Sequence, residues 1–202
     1  NMAGKCIVDD EVCRKASCQE IIRRYYHTLV NIARGKAKEE EAYKIELLMN
    51  KAGVTTKDRK VVEAALRRAE ETGHTAAALE LPDGRVITGK TSELMGACSA
   101  LLIKALKVLA DIDRDVLLIT PNVIMPIQKL KVNYLGSRNP RLHMEEVLIA
   151  LSASSESNEV ADLALRQLPH LRGSQVHTSR MLSDTDEKTF QKLGVMLTSE
   201  AR

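Results

Sequence analysis

The stretch AAALELPDGRVITGKTSELMGACSALLIKALKVLADI, Ala76 to Ile112, decides how this chain folds. Two apolar runs flank Asp83-Gly84, a pair that suits the tight turns of β-hairpins. The spacing predicts strand, turn, strand, and then a long helix starting near Ser92. The same residues spell parts of two active sites, a phosphate loop and a zinc site. Each lacks something its chemistry needs.

Gly84, Gly89, Lys90 and Thr91 satisfy the spacing G-x-x-x-x-G-K-[ST]. A phosphate loop requires a flexible turn whose successive N–H groups converge on the ligand. The intervening residues here are Arg85, Val86, Ile87 and Thr88. β-Branched residues after a Pro-Asp-Gly turn belong in a strand, which holds the two glycines apart. What survives is a weaker site. Lys90, Thr91 and Ser92 lie where a helix is expected to begin, and a helix N-terminus attracts anions.

Upstream, three amphipathic helices are expected to form a bundle over residues 1–73. The first is capped by Asp9 or Asp10, carries Val12, Ile21, Ile22, Tyr25, Leu29 and Ile32 on one stripe, and stops at Gly35. The second is EEEAYKIELLMNKA, ending at Gly53. The third follows Thr55-Thr56, turns Val61, Val62, Ala65, Leu66 and Ala69 inward, and ends at Gly73.

Downstream, residues 74–202 alternate strands and helices. Val116–Thr120 (VLLIT) suits a buried strand, and Pro121-Asn122 opens a helix ending before Gly136. Asn139-Pro140 is expected to start the helix RLHMEEVLIALSAS. A helix at 159–168, a strand at 175–179, a short helix at 186–193 and a strand at 195–198 complete the pattern. The expectation is α/β: a helical bundle followed by a three-layer α/β/α domain with a five-stranded sheet.

Composition narrows the function. The chain has 202 residues, 44% of them hydrophobic, enough for a substantial core. Its 30 basic and 27 acidic residues are interleaved and sum to +3, too weak a field to attract nucleic acid or a membrane surface. One Phe, four Tyr and no Trp provide little to stack on single-stranded bases. No apolar run approaches the roughly 18 residues that span a bilayer. Cys6, Cys13, Cys18 and Cys98 contain no C-x-x-C pair, as expected of reduced thiols in a cytoplasmic protein.

AALELPDGRVITG, Ala77 to Gly89, resembles the opening of the cytidine deaminase family. There a strand, an Asp-Gly turn and a strand ending in Thr-Gly lead to a helix carrying a zinc ligand beside a general acid/base Glu. Cys98 stands at the ligand position. The Glu position, two residues on, is Ala100. In VLLITPNVIM, Pro121 is kept, but Asn122 and Met125 occupy the family's two further thiolate positions. One thiolate does not hold Zn²⁺, which takes about three protein ligands in a catalytic site. The resemblance implies a cytidine-deaminase-like fold without a metal and without deamination. His143-Met144-Glu145 is a separate H-x-E that lacks the spacing of a zinc protease.

Longer runs resemble the C-terminal part of a bacterial family catalogued as domain of unknown function 1846. They are NMAGKCIVDDEVCRKAS at Asn1, YKIELLM at Tyr43, ELPDGRVITGKTS at Glu80, LKVNYLGSRNPRLHMEEVLIALS at Leu130 and FQKLGVMLTSE at Phe190. In that family the other half carries a glycine-rich loop followed by Lys, resembling a nucleotide-binding site. A start at Asn1 is what a piece of such a longer protein would show. The resemblance carries over no catalytic residue.

Two functions are therefore expected. The first is an accessory module, binding a ligand or driving oligomerisation, that packs against a nucleotide-binding half. The alternative is half of an enzyme acting on a phosphorylated or nucleotide-like substrate. Its anion site would combine Lys90, Thr91 and Ser92 with Arg138 and Arg141. His143, with a pKa near neutrality, would be its acid/base group. The partners expected are the other half, a second copy of the chain and a phosphate-bearing ligand. No cofactor and no metal are expected in this stretch.

Overall fold

A computed structural model describes residues 9–202; Cys6 lies outside them. Helix α1, Asp10–Ala33, is capped by Asp9, whose carboxylate accepts from the Val12 N–H at 3.0 Å. Its inward stripe is Ile22, Tyr26 and Val30, flanked by Ile21, Tyr25 and Leu29. Val12, expected on that stripe, is 59% exposed. Helix α2, Glu39–Ala52, ends at Gly53 in the left-handed region and packs along α1. Ile22, Tyr26 and Met49 share a small core with Val54 and Val62. A tight turn at Thr56–Asp58, with Thr55 N–H donating to Asp58, leads into α3, Lys60–Thr72.

The sheet has four strands among the described residues: β1 Ala76–Glu80, β2 Val86–Lys90, β3 Gln175–Thr178 and β4 Met196–Ser199, in the order β2-β1-β3-β4. β1 runs antiparallel to both neighbours, while β3 and β4 are parallel. The β1–β2 turn is a three-residue loop closed by Gly84 N–H to Leu81 O and Leu81 N–H to Arg85 O, each 2.9 Å. Gly84 supplies the positive φ of 86° that this turn needs. β1 alternates between two cores. Ala77 and Leu79 face the main core with Leu101, Leu102 and Leu106. Ala78 packs on Val61, Ala64 and Ala65 of α3. The third expected bundle helix thus covers one face of the sheet.

Helix α4, Ala97–Leu109, covers β2 and β1 on the other face. Its backbone crosses Gly89 so closely that a Cβ there would lie 2.6 Å from Leu101 N and 2.7 Å from Ala97 O. Gly89 pairs with Ala77 across the strands. Two residues with almost no side chain let the helix sit against the sheet. Beyond α4 come α5 Pro121–Lys129, a wider turn at Leu130–Tyr134, α6 Met144–Ser155, α7 Glu159–Leu165 and α8 Asp184–Lys192. Leu135 N–H reaches Leu130 O at 3.0 Å, five residues back.

Three expectations are corrected. Residues 116–120 form no strand, so the sheet has four strands rather than five. Leu118 and Ile119 enter the main core from an irregular segment, while Leu117 is 61% exposed. Asp113 starts a turn there, its carboxylate accepting from Asp115 N–H at 2.8 Å. β1 is already paired on both edges. The cytidine-deaminase-like arrangement, which needs the strand ahead of Pro121, is not supported. Second, the helix expected from Ser92 begins at Ala97, because Ser92 and Met95 close a turn first. Third, the helix expected after Pro140 begins at Met144, because Leu142 forms a bridge with Met95.

Candidate functional site

The five expected anion-binding residues are only partly brought together. Lys90 ends β2, Thr91 N–H donates to Thr75 O at 2.8 Å, and Ser92 caps its own turn. None of the three belongs to the first turn of α4. Arg141 does reach this segment, its Nε donating to Ser92 O at 2.7 Å. Leu142 secures the junction: its N–H donates to Leu94 O, and its O accepts from Gly96 N–H and, at 2.9 Å, from Ser99 Oγ. Arg138 is exposed and makes no polar contact with the described residues.

His143 caps α6 beside a buried carboxylate. Asp186, on α8, accepts from Met144 N–H at 3.1 Å and lies 3.3 Å from His143 Nδ1. The anion attracted by this helix N-terminus is the protein's own. Glu146 accepts from His143 N–H at 2.8 Å and from Lys131 Nζ at 2.7 Å, and Lys131 also donates to Arg141 O. The Asp186 hydrogen bond raises the His143 pKa above its usual 6.5, against a smaller opposing effect of burial. Burial pushes Asp186 up, but its bonds to His143, Met144 and Ser183 outweigh that and hold it below 3.8. Asp186 orients the His143 ring, as the carboxylate of a catalytic dyad would, but a dyad also requires a nucleophile. Cys98 does not complete it: the thiol is buried, burial pushes its pKa up, and it forms no hydrogen bond with His143 among the described residues.

A second polar cluster lies under the sheet, where α1 and α3 meet β3 and β4. Arg59 is 2% exposed. Its Nε donates to Thr198 Oγ1 at 3.0 Å, one Nη to Gln175 and Gln19 side chains, and the other to Val176 O and Met196 O. All five N–H groups find neutral acceptors. Burial lowers its pKa to about 10, which leaves it protonated at neutral pH. Thr198 Oγ1 also lies 2.9 Å from His177 Nδ1, and His177 Nε2 lies 3.2 Å from Glu200. Burial holds His177 below 6.5, with Glu200 opposing. A neutral imidazole that donates to Glu200 must accept at Nδ1. The Thr198 hydroxyl has one proton and two acceptors in reach, His177 Nδ1 and, at 3.1 Å, Val176 O, so Arg59, Thr198, His177 and Glu200 form a connected chain. Tyr26 of α1 closes the cluster edge-on, its ring 4.8 Å from that of His177.

These two histidines are expected to titrate in opposite directions in one NMR pH series. His143 should titrate above 6.5 and return toward it in Asp186→Asn. His177 should titrate below 6.5. The signs for stability follow. His143's contribution is full below 6.5 and is lost as pH rises through its folded value. His177's is full above 6.5 and is lost as pH falls toward its folded value. A His143 midpoint at or below 6.5, or a His177 midpoint at or above it, would remove the corresponding assignment.

Among the described residues α2 carries an exposed apolar pair. Tyr43 and Leu47, one turn apart, are 61% and 43% exposed, opposite the buried Ala42 and Met49. No helix among the described residues is long and apolar enough to cross a membrane, and none of their His, Cys, Asp and Glu side chains cluster as a metal site.

A mixed α/β chain with a self-capped helix terminus and a neutral-acceptor arginine clamp belongs to a family known by its sequence. Residues 57–202 match the domain of unknown function DUF1846, C-terminal, and residues 1–53 match DUF1846, N-terminal; the chain belongs to this family. It is similar to the UPF0371 protein cu0538 of Corynebacterium urealyticum, 52% identical over 202 residues, covering all of this chain and 41% of that protein. It is also similar to the UPF0371 protein str1377 of Streptococcus thermophilus, 50% identical over 198 residues, covering 98% of this chain and 40% of that protein. The chain thus spans about two fifths of the length of the relatives it matches.

Proposed function

We propose that this chain is an accessory module that docks, through the outer face of α2, on the remainder of the longer proteins of its family. The observation that carries this is the position of Tyr43 and Leu47. They stand exposed on a helix within the part that matches the family's N-terminal description. Only 53 residues of this chain belong to that part, while the relatives are about two and a half times the chain's length. Large apolar side chains one turn apart favour burial against a partner. The occupant is the rest of the N-terminal region.

Hydroxyl-radical footprinting tests this on the 202-residue chain and on the full-length protein. Tyr43 and Leu47 are expected to be labelled in the short chain and protected several-fold in the long one. Equal labelling in both would sink the proposal. The contact between Arg141 and Ser92 favours a second reading, in which the module lends an anion-binding edge and His143 to a substrate site completed by the other part.

A further inference from the structure

A cavity of about 230 Å³ lies between α1, α8 and the outer edge of β4. By volume it has room for roughly seven waters, or a ligand with a similar number of heavy atoms. Its lining includes Arg23 and His27 of α1, Arg34 just past that helix, Glu187 and Gln191 of α8, and Ser199 of β4. Ser199 is 3% exposed, yet its hydroxyl has no hydrogen-bond partner among the described residues. On the cavity wall, that hydroxyl is free to bond a group that enters the space.

The two arginines of the lining each keep an unused donor. Arg23 places Nε and one Nη on Glu20, which leaves its other Nη. Arg34 places both Nη groups on Glu187 and Leu182 O, which leaves its Nε. Those bonds engage both oxygens of Glu187, the one lining carboxylate, and pair its charge with Arg34. The Gln191 amide makes no hydrogen bond with described residues. His27 is held at Nε2, 3.1 Å from Leu197 O. Charged donors left free on residues that line a small cavity, with the lining carboxylate already paired, match a ligand that brings acceptors.

We propose that this cavity binds a small oxyanion, the carboxylate or phosphate group of a metabolite with only a few further atoms, with Ser199, Arg23 and Arg34 as its donors. The site is independent of docking through α2, because α2 does not line it.

The test is an NMR titration of the 202-residue chain with two probes, inorganic phosphate and succinate, at constant ionic strength. Arginine Nε–H and glutamine side-chain signals are followed in wild type, Ser199→Ala and Arg23→Gln. Both variants are expected to fold, since Ser199's hydroxyl is unpartnered and the Arg23–Glu20 pair is a partly exposed one within a helix. The expected result is saturable shifts at Arg23, Arg34 and Gln191 with at least one probe, weakened fivefold or more in each variant. Saturation with phosphate alone or succinate alone identifies which oxyanion the site prefers. Two results would overturn the proposal. One is no saturable shift with either probe up to about twentyfold above a millimolar Kd. The other is binding that Ser199→Ala and Arg23→Gln leave unchanged.

Discussion

Replacing Gly89 with alanine is expected to destabilise the protein by about 3 kcal/mol, the upper range for overpacking a well-packed core. The added methyl would lie 2.6 to 2.7 Å from backbone atoms of Leu101 and Ala97. Neither can step aside as a flexible side chain would, so α4 must lift from β2 or the strand must bend. For a chain of this size the unfolding midpoint should drop by roughly 6–12 °C. Gly84→Ala is the informative control. Nothing lies within 4 Å of its Cβ position, and the cost is that of holding alanine at a φ of 86°, about 1–2 kcal/mol. A Gly89→Ala protein that melts with wild type would show that the helix does not sit where described. The experiment also separates the two meanings of this glycine. In a phosphate loop it would admit a ligand, whereas here it admits a helix.

Arg59→Ala is expected to be costlier still, about 4 kcal/mol, from several buried neutral acceptors left unpaired at roughly 1–3 kcal/mol each. The loss removes the arginine's bonds to Thr198, Gln175, Val176 and Met196 and opens a space between α1, α3 and the sheet. Arg59→Lys should recover less than half of it. Lysine keeps the charge but brings three donors from one point, where the site presents acceptors around a planar fork. Urea unfolding of the two variants reads both effects. If Arg59→Lys matched wild type, charge alone would be what matters and the five-bond arrangement would be incidental.

How much of this could be read from residues depended on range. α1 and α2 were legible to within a residue or two because caps and glycine stops are local chemistry, as with Asp9 and Gly53. The β1–β2 hairpin was legible for the same reason. VLLIT was not, because five apolar residues in a row suit a buried strand and a buried irregular segment equally. In the fold the segment is irregular, with Leu118 and Ile119 buried and no strand pairing, and β1's two pairings leave it no place beside that strand. The helix starts at Ala97 and Met144 depended on the Met95–Leu142 bridge, a contact spanning 47 positions that no local signal announces. In the candidate sites, His143 was visible as a polar residue at a helix start. Its partner Asp186 was not, lying 43 positions away. Arg59 was least visible of all. It reads as one more basic residue ahead of a helix, and only the fold shows it enclosed. His177, a lone imidazole in the strand QVHT, was the one local hint of that cluster.

The shared core of α1 and α3 bears on how the family's two regions relate. Ile22, Tyr26 and Met49 come from residues matching the N-terminal description, and Val62 from those matching the C-terminal one. Gln19 and Tyr26 reach further, to Arg59 and His177. The boundary between positions 53 and 57 is therefore a join in the chain but not a gap in the solid. Cutting there would leave each piece with a wet, half-built surface. A push on α1 from the remainder of a longer protein would reach β3 and β4 through side chains already in contact, making that helix a lever with its fulcrum at Arg59.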